Sequence, residues 1–291
     1  MSAGIVVEAN GIRLHAIDHG GDGPVLLLTH GLSANAHFFD DLAAAGLSPA
    51  CRVLSLDLRG RGQSDAPAEG YTMDDHAADV LGVLDALGLD RVRLGGHSFG
   101  GLLTLFVAAA APERVERALV LDVPAETSGH VLEQIGPSLA RLDQVYPSRE
   151  AYLDFVRALP YFDDGGWGAG LEAFYAAEIE ELPGGAVRPR CRPEHIRQAV
   201  EGTLVPDWAR VAAAVECPVL LVRTTGEFGV PGAGPILTAE GARRTLARLR
   251  DGRLLEVPGN HITFAFGGRA APVAADLLAF LDVPNTIRLS S

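Results

Sequence analysis

The stretch Leu94-Gly95-Gly96-His97-Ser98-Phe99-Gly100-Gly101 decides how the rest of the chain is read. An apolar run with a β-branched residue leads into it (Val92, Leu94). An Ala-rich, helix-favouring run from Leu102 to Ala111 leads out. Between them, Gly96-x-Ser98-x-Gly100 is the pattern of a nucleophile elbow, a serine on a sharp strand-to-helix turn. Such a serine sits in a strained backbone conformation with its hydroxyl projecting above the sheet edge. Side chains two residues to either side would collide with the turn, which is why glycines flank it. The following helix aims its free N–H groups and the positive end of its dipole at the same spot. The motif is short, however, and a glycine-rich turn with an ordinary serine would read the same. Other stretches decide between the two.

Working outward, Val25-Leu26-Leu27-Leu28-Thr29 and Arg52-Val53-Leu54-Ser55-Leu56-Asp57 are short, nearly continuous apolar runs, suited to strands buried on both faces. Val115 to Leu121 and Pro218-Val219-Leu220-Leu221-Val222 repeat the pattern. Between the second strand and the elbow, Thr72-Met73-Asp74-Asp75 opens a helix whose stripe Val80, Leu81, Leu84 and Leu87 ends at Gly88. Alternating strand and helix from residue 25 to 122 means right-handed βαβ units and a parallel sheet. Ligands bind beyond the carboxyl ends of such strands. His30, Asp57, Ser98 and Asp122 all fall there. Ahead of this unit, residues 5–8 and 12–17 flank Asn10-Gly11, a hairpin signal. His15 and His19 read as edge or surface histidines.

His30-Gly31-Leu32 closes the first parallel strand. Gly31 lets the chain approach the serine, and the Leu32 amide then becomes a second oxyanion donor beside that of Phe99. His30 reads as a brace for this turn. Asn35, His37 and Phe38 are weaker candidates for the pocket floor. The run Asp57-Leu58-Arg59-Gly60-Arg61-Gly62-Gln63-Ser64-Asp65 lacks the Gly-Lys-Ser/Thr and immediate helix of a phosphate loop, and reads as a structural turn with a buried Arg–Asp contact.

Residues 124–206 break the rhythm. Helical stretches at 131–145, 149–159, 171–181 and 193–204 are separated by proline and glycine, and no strand is evident. Aromatic residues gather here and read as the insertion's own small core. A helical lid is the natural role of an insertion placed after a strand's carboxyl end. Gly165-Gly166-Trp167-Gly168 reads as its flexible tip, with Trp167 facing substrate. The division expected is a core of residues 1–123 and 207–291 with a cap of 124–206. After the insertion come a glycine-rich loop from Gly226 to Gly234, a helix at 239–250, a strand at 253–257, the turn Pro258-Gly259-Asn260-His261, and a final helix at about 271–281.

Composition bounds the partners. The chain has 291 residues, a formal net charge of −13, 48% hydrophobic and 21% charged residues. That is ordinary for a soluble globular protein, and the acidic balance argues against nucleic acid or an anionic membrane. The three cysteines (Cys51, Cys191, Cys217) are far apart, build no disulfide framework or metal pair, and read as small buried residues. No basic-then-apolar leader opens the chain, and its longest apolar run is too short for a bilayer, so a cytoplasmic location is expected. The nine histidines show no metal-ligand pairing on a helix. Neither metal nor cofactor is expected; the partner is a small-molecule substrate, and a homodimer is left open.

Taken together and in order, His30-Gly31, Asp57-x-Arg59-Gly60-x-Gly62-x-Ser64, Gly96-His97-Ser98-Phe99-Gly100-Gly101 and Pro258-Gly259-Asn260-His261 resemble the α/β-hydrolase superfamily over nearly the whole chain. The resemblance implies an α/β-hydrolase fold: a mostly parallel eight-stranded sheet flanked by helices, with a helical cap. It also implies a triad in the order nucleophile, acid, histidine. Serine at the elbow resembles esterases, lactonases, thioesterases and C–C bond hydrolases rather than epoxide hydrolases or haloalkane dehalogenases, which use aspartate. Ser98 is then the nucleophile and His261 the general base. The usual acid position, the loop after the strand 218–222, offers only Glu227. Some members take the acid from the strand after the elbow helix, where Asp122 stands. The departure of the usual loop tips the reading to Asp122, with Glu227 as the alternative.

The function expected is a serine hydrolase cleaving a small or medium apolar ester, lactone or thioester through an acyl-enzyme. The oxyanion donors are Leu32 and Phe99, and Gly31 and Trp167 lie along the substrate. The alternatives are C–C bond hydrolysis of a diketone-type substrate, or a non-catalytic small-molecule receptor on the same fold. His97, inside the elbow, is expected to pack with its side chain turned away from the serine.

Overall fold

A computed structural model describes residues 2–126, 135–136, 139–162, 166–229 and 231–282. Asn10 and Gly11 take φ of +48° and +77°. They join β1 (Ala3–Ala9) to antiparallel β2 (Ile12–Asp18), and two successive positive φ values give the hairpin the twist that its strands need. Strand β2 also pairs antiparallel with β4 (Arg52–Leu56). From there every pairing is parallel, through β3 (Val25–Thr29), β5 (Val92–His97), β6 (Val115–Leu121), β9 (Val219–Thr224) and β10 (Gly252–Val257). The sheet has eight strands in the order β1-β2-β4-β3-β5-β6-β9-β10.

The continuous apolar runs serve two faces. Leu26, Leu28, Val53, Leu119, Leu121, Leu220 and Val222 pack into one core. Leu27, Leu54, Leu94, Val120 and Leu221 pack into the other. Period-two alternation sends successive residues to opposite faces, so a run that is apolar throughout serves both cores, with buried Ser55 and Arg93 as polar exceptions. The helices Met73–Ala86 and Phe99–Ala110 cover the second face, and Ala270–Phe280 covers the first. Helix Met73–Ala86 starts where Thr72 and Asp75 form a reciprocal capping box.

The turn after β4 holds the buried Arg–Asp contact, but between different partners than its own sequence offers. Arg59 grips Asp79 of the helix Met73–Ala86. Asp57 instead accepts from the Ala36 and Gln63 amides and lies 2.8 Å from His15 Nδ1. His15 is therefore a buried strand residue, not a surface one.

Between β6 and β9, residues 140–143 form a 3-10 turn, followed by helices Arg149–Arg157, Ala169–Ala177 and Pro193–Thr203. The expected helix at 131–145 falls partly outside the described residues, as does Gly165 of the expected tip. The expected absence of strands here is corrected. The helix expected to reach Glu181 stops at Ala177, and β7 (Ile179–Glu181) pairs antiparallel with β8 (Val187–Pro189). Between them Gly184 and Gly185 adopt φ of +90° and +86°. Three-residue strands are too short for periodicity to reveal, and the Pro183-Gly184-Gly185 turn was their only signal.

The aromatics of this segment do not form a separate core. Tyr152, Phe162, Phe174 and Tyr175 belong to the same buried cluster as Phe38, Phe264 and the first sheet face. Among the described residues, no helix is long and apolar enough to cross a membrane.

Candidate active site

Ser98 stands between β5 and the helix Phe99–Ala110, at φ 54° and ψ −117°. A non-glycine residue held there stores strain that its surroundings must enforce. The enforcement is steric. A Cβ on Gly96 would lie 2.0 Å from the Gly100 carbonyl oxygen, and one on Gly100 would lie 2.2 Å from the Thr29 oxygen. Only glycines allow strand, turn and helix to close this tightly. Ser98 is half-buried, so its hydroxyl remains reachable.

His261 follows β10 on the turn that begins Pro258-Gly259, and its ring is buried. Its Nδ1 lies 2.7 Å from Asp122 Oδ2. Asp122 is fully buried at the end of β6, at φ 55°, another strained position. Its carboxylate also accepts from the Thr224 amide (2.8 Å) and the Thr224 hydroxyl (2.9 Å) at the end of β9. A buried carboxylate with three donors is fully satisfied and fixed in orientation. Thr224 was not singled out from sequence, because nothing local marks a threonine that will meet a residue from another strand. Glu227 lies elsewhere. It accepts from the Gly232 amide and borders a surface cavity with Tyr161, Asn260 and Arg269.

Ser98 and His261 line one cavity of about 50 Å³ together with Gly31, Leu32, Ser33, His97, Arg141 and apolar side chains including Ile135, Phe174 and Phe228. A Cβ on Gly31 would come within 3.5 Å of Ser98 Cβ, so this glycine brings the turn against the serine. Among the described residues no carbonyl accepts from the Leu32 or Phe99 amides. The Ser98 hydroxyl likewise has no hydrogen-bond partner among them, and catalytic contacts often tighten only around substrate.

Trp167 does not line this cavity. It packs against Phe162 and Tyr175, with the Arg157 guanidinium over its ring. Lining an aromatic cluster satisfies its area as well as a ligand would, and sequence alone does not separate the two. Asn35, His37 and Phe38 do not line it either. Phe38 is one layer behind, stacked on His97 with ring centroids 4.2 Å apart.

His97 differs from expectation, because its side chain is turned toward the site. Its Nε2 lies 2.8 Å from the His261 carbonyl oxygen and so carries the proton that it donates. Burial, and secondarily the neighbouring His261, push its pKa well below the usual imidazole value, which keeps it neutral. His30 braces the turn as expected. Its Nε2 accepts from the Leu58 amide at 3.1 Å, its Nδ1 donates to Gly31, and burial lowers its pKa to about 4.

Two buried arginines hold the same turn. Arg61 Nε donates to the Leu32 carbonyl at 3.0 Å. Arg141 Nη2 donates to the Ser33 carbonyl and hydroxyl, and the same guanidinium pairs with Glu178, which also accepts from the Tyr152 hydroxyl. Neither arginine was a site candidate from sequence. Among the described residues, no group of three or more His, Cys, Asp or Glu is arranged to hold a metal.

A strained serine elbow at the end of a central parallel strand, sharing a cavity with a histidine tied to a buried aspartate, defines a class of fold and site. Comparison with known proteins agrees. The family described as alpha/beta hydrolase fold matches residues 24–157. The chain is 27% identical over 256 residues to the 2-(acetamidomethylene)succinate hydrolase of Mesorhizobium japonicum, covering 82% of this chain and 81% of that one. It is 35% identical over 151 residues to the putative carbamate hydrolase RutD of Variovorax paradoxus, a match over 51% of this chain and 55% of that protein. A crystal structure of E-2-(acetamidomethylene)succinate hydrolase superposes with a TM-score of 0.82 over 97% of this chain and all of that one, at 23% identity, which speaks for the fold. The chain has the α/β-hydrolase fold, and its residues 24–157 match that family.

Proposed function

We propose that this α/β hydrolase is a serine hydrolase that cleaves a small carboxylic ester, lactone or thioester through an acyl-enzyme intermediate. The observation that carries the reading is the 2.7 Å contact of His261 Nδ1 with Asp122, on an imidazole that shares its cavity with Ser98. With Nδ1–H donated to the carboxylate, Nε2 is left as the base. It takes the Ser98 proton as Oγ attacks the substrate carbonyl and returns it to the leaving oxygen or sulfur. Water, activated by the same imidazole, then releases the acid. The Leu32 and Phe99 amides bind the oxyanion, each donor worth on the order of a hundredfold or more in rate. A free volume of about 50 Å³ argues for the small end of the acyl range, since one water needs roughly 10–15 Å³ on the same scale.

A second reading concerns the acyl group. The cavity wall is mostly apolar, yet Arg141 lines it. Arg141 is already paired with Glu178, so what favours a substrate carrying a carboxylate is the names of relatives acting on a succinate, not an open charge on the cavity wall. The diketone alternative uses the same groups and is separated only by substrate.

The test is a fluorophosphonate probe followed by intact-mass analysis, and turnover of p-nitrophenyl acetate. Ser98 should be labelled and the Ser98→Ala variant should not. An unlabelled wild-type protein with no esterase activity would refute the reading and leave a receptor on this fold. A panel pairing p-nitrophenyl butyrate with the p-nitrophenyl half-ester of succinate decides between apolar and anionic acyl groups.

A further inference from the structure

Arg61 is one of the largest fully buried side chains of the protein, 1% exposed. Its neighbours in the same turn and across the site are neutralised: Arg59 by Asp79 and Arg141 by Glu178. Arg61 forms no ion pair among the described residues. Asp57, four residues earlier, spends its oxygens on two backbone amides and His15. Two of the Arg61 nitrogens donate to main-chain carbonyls, Nε to Leu32 and Nη1 to Arg59 (2.7 Å), and Nη2 is buried with no partner. The guanidinium lies 5.7 Å from the centre of the Phe99 ring and 5.6 Å from that of Tyr71. His76, whose ring meets both of those rings, has no partner on either nitrogen and supplies no negative charge.

A buried cation without a counter-ion is costly, by several kcal/mol even after relaxation, and a guanidinium does not escape by losing its proton. Such a feature persists where something else uses it. Of the four residues that Arg61 touches by hydrogen bond or ring contact, two, Leu32 and Phe99, are those whose amides are proposed to face the oxyanion. We infer that Arg61 is a positioning residue of the oxyanion site: it fixes the Leu32 turn and supplies, from behind both amides, a positive charge that no carboxylate among the described residues compensates and the negative transition state does. In a dry interior such a charge acts over several ångströms with little screening. This inference rests on the serine-hydrolase reading above.

Three variants separate charge from hydrogen bonding. Arg61→Gln keeps a donor for the Leu32 carbonyl without the charge, Arg61→Lys keeps the charge, and Arg61→Met keeps neither. With p-nitrophenyl acetate, Gln and Met should lose roughly tenfold to a hundredfold in kcat with KM within about twofold, less than the loss of a direct oxyanion donor. Affinity for a phenylboronic acid, which forms a tetrahedral anion on the serine, should fall by a similar factor. Lys should recover most of both. Circular dichroism and melting report folding independently, and if Met fails to fold, the Lys–Gln pair decides.

Gln at wild-type kcat, Lys as impaired as Met, or a loss confined to KM overturns the inference while a wild type that labels at Ser98 keeps the parent reading intact. A wild type that neither labels nor turns over ester removes both.

Discussion

The core and the insertion grip the same turn, residues 31–34, in opposite ways. From the core comes Arg61, buried without a carboxylate partner among the described residues. From the insertion comes Arg141, buried in a closed circuit with Glu178, Tyr152 and Ser33. The second arrangement is self-contained: charge is matched and the partner carboxylate has its own donor, as a structural staple between two parts of a fold needs. The first is left unbalanced at the site where a reaction would develop negative charge. The difference teaches that burial alone does not mark a functional arginine. What marks it is burial with the electrostatic account left open beside the chemistry.

The comparison is sharpened by substitutions on each side, beginning with the proposed catalytic groups themselves. Ser98→Ala should reduce kcat by about a millionfold and Asp122→Asn by about ten thousandfold, with folding retained, as measured by ester turnover. If Asp122→Asn stays active, the contact with His261 is only structural. On the insertion side, Glu178→Gln leaves Arg141 a buried charge with half a partner. It should destabilise the fold by about 3–5 kcal/mol in urea unfolding, and a loss below about 1 kcal/mol would show that the circuit is not the staple described.

A smaller effect comes from the brace behind the turn. His30 has a pKa of about 4 in the folded state because burial disfavours its charged form, against about 6.5 when unfolded. The unfolded chain therefore takes up the proton first. The stabilisation is fully present above about pH 6.5 and is lost as the pH falls toward 4, amounting to about 3 kcal/mol across that window. Buried His76 and His97 shift in the same direction. Melting temperature should drop from pH 7 to pH 5, and His30→Gln should flatten that drop. A melting temperature unchanged between the two pH values would count against burial as the cause. Smallest of all, Glu227→Gln should leave kcat within about twofold, since that carboxylate accepts from the Gly232 amide and does not line the cavity of Ser98 and His261. A large loss there would return the acid role to the loop after β9.

How much of this was legible beforehand differs by region. The parallel strands were, because runs such as Val25–Thr29 are apolar on both faces and end in glycine turns. The elbow was, because Gly96 is required by the Gly100 carbonyl four residues on, although Gly100 itself is required by Thr29 of a neighbouring strand. The insertion was read poorly. Its hairpin is two three-residue strands, and its aromatics fill the core of the sheet rather than one of their own.

Sequence by itself fixed what depends on local sterics and periodicity: the strand-to-helix serine, the hairpin at Asn10-Gly11, the layered α/β order, and two aspartates at strand ends. Only tertiary structure decided which carboxylate meets His261, that His97 turns inward to hold it, and that Arg59 and Arg141 have counter-ions while Arg61 has none among the described residues. The reason is physical. A backbone turn is governed by its neighbours in the chain, whereas the partner of a buried charge is chosen by whichever residues the packed sheet brings within a few ångströms, often a hundred positions away.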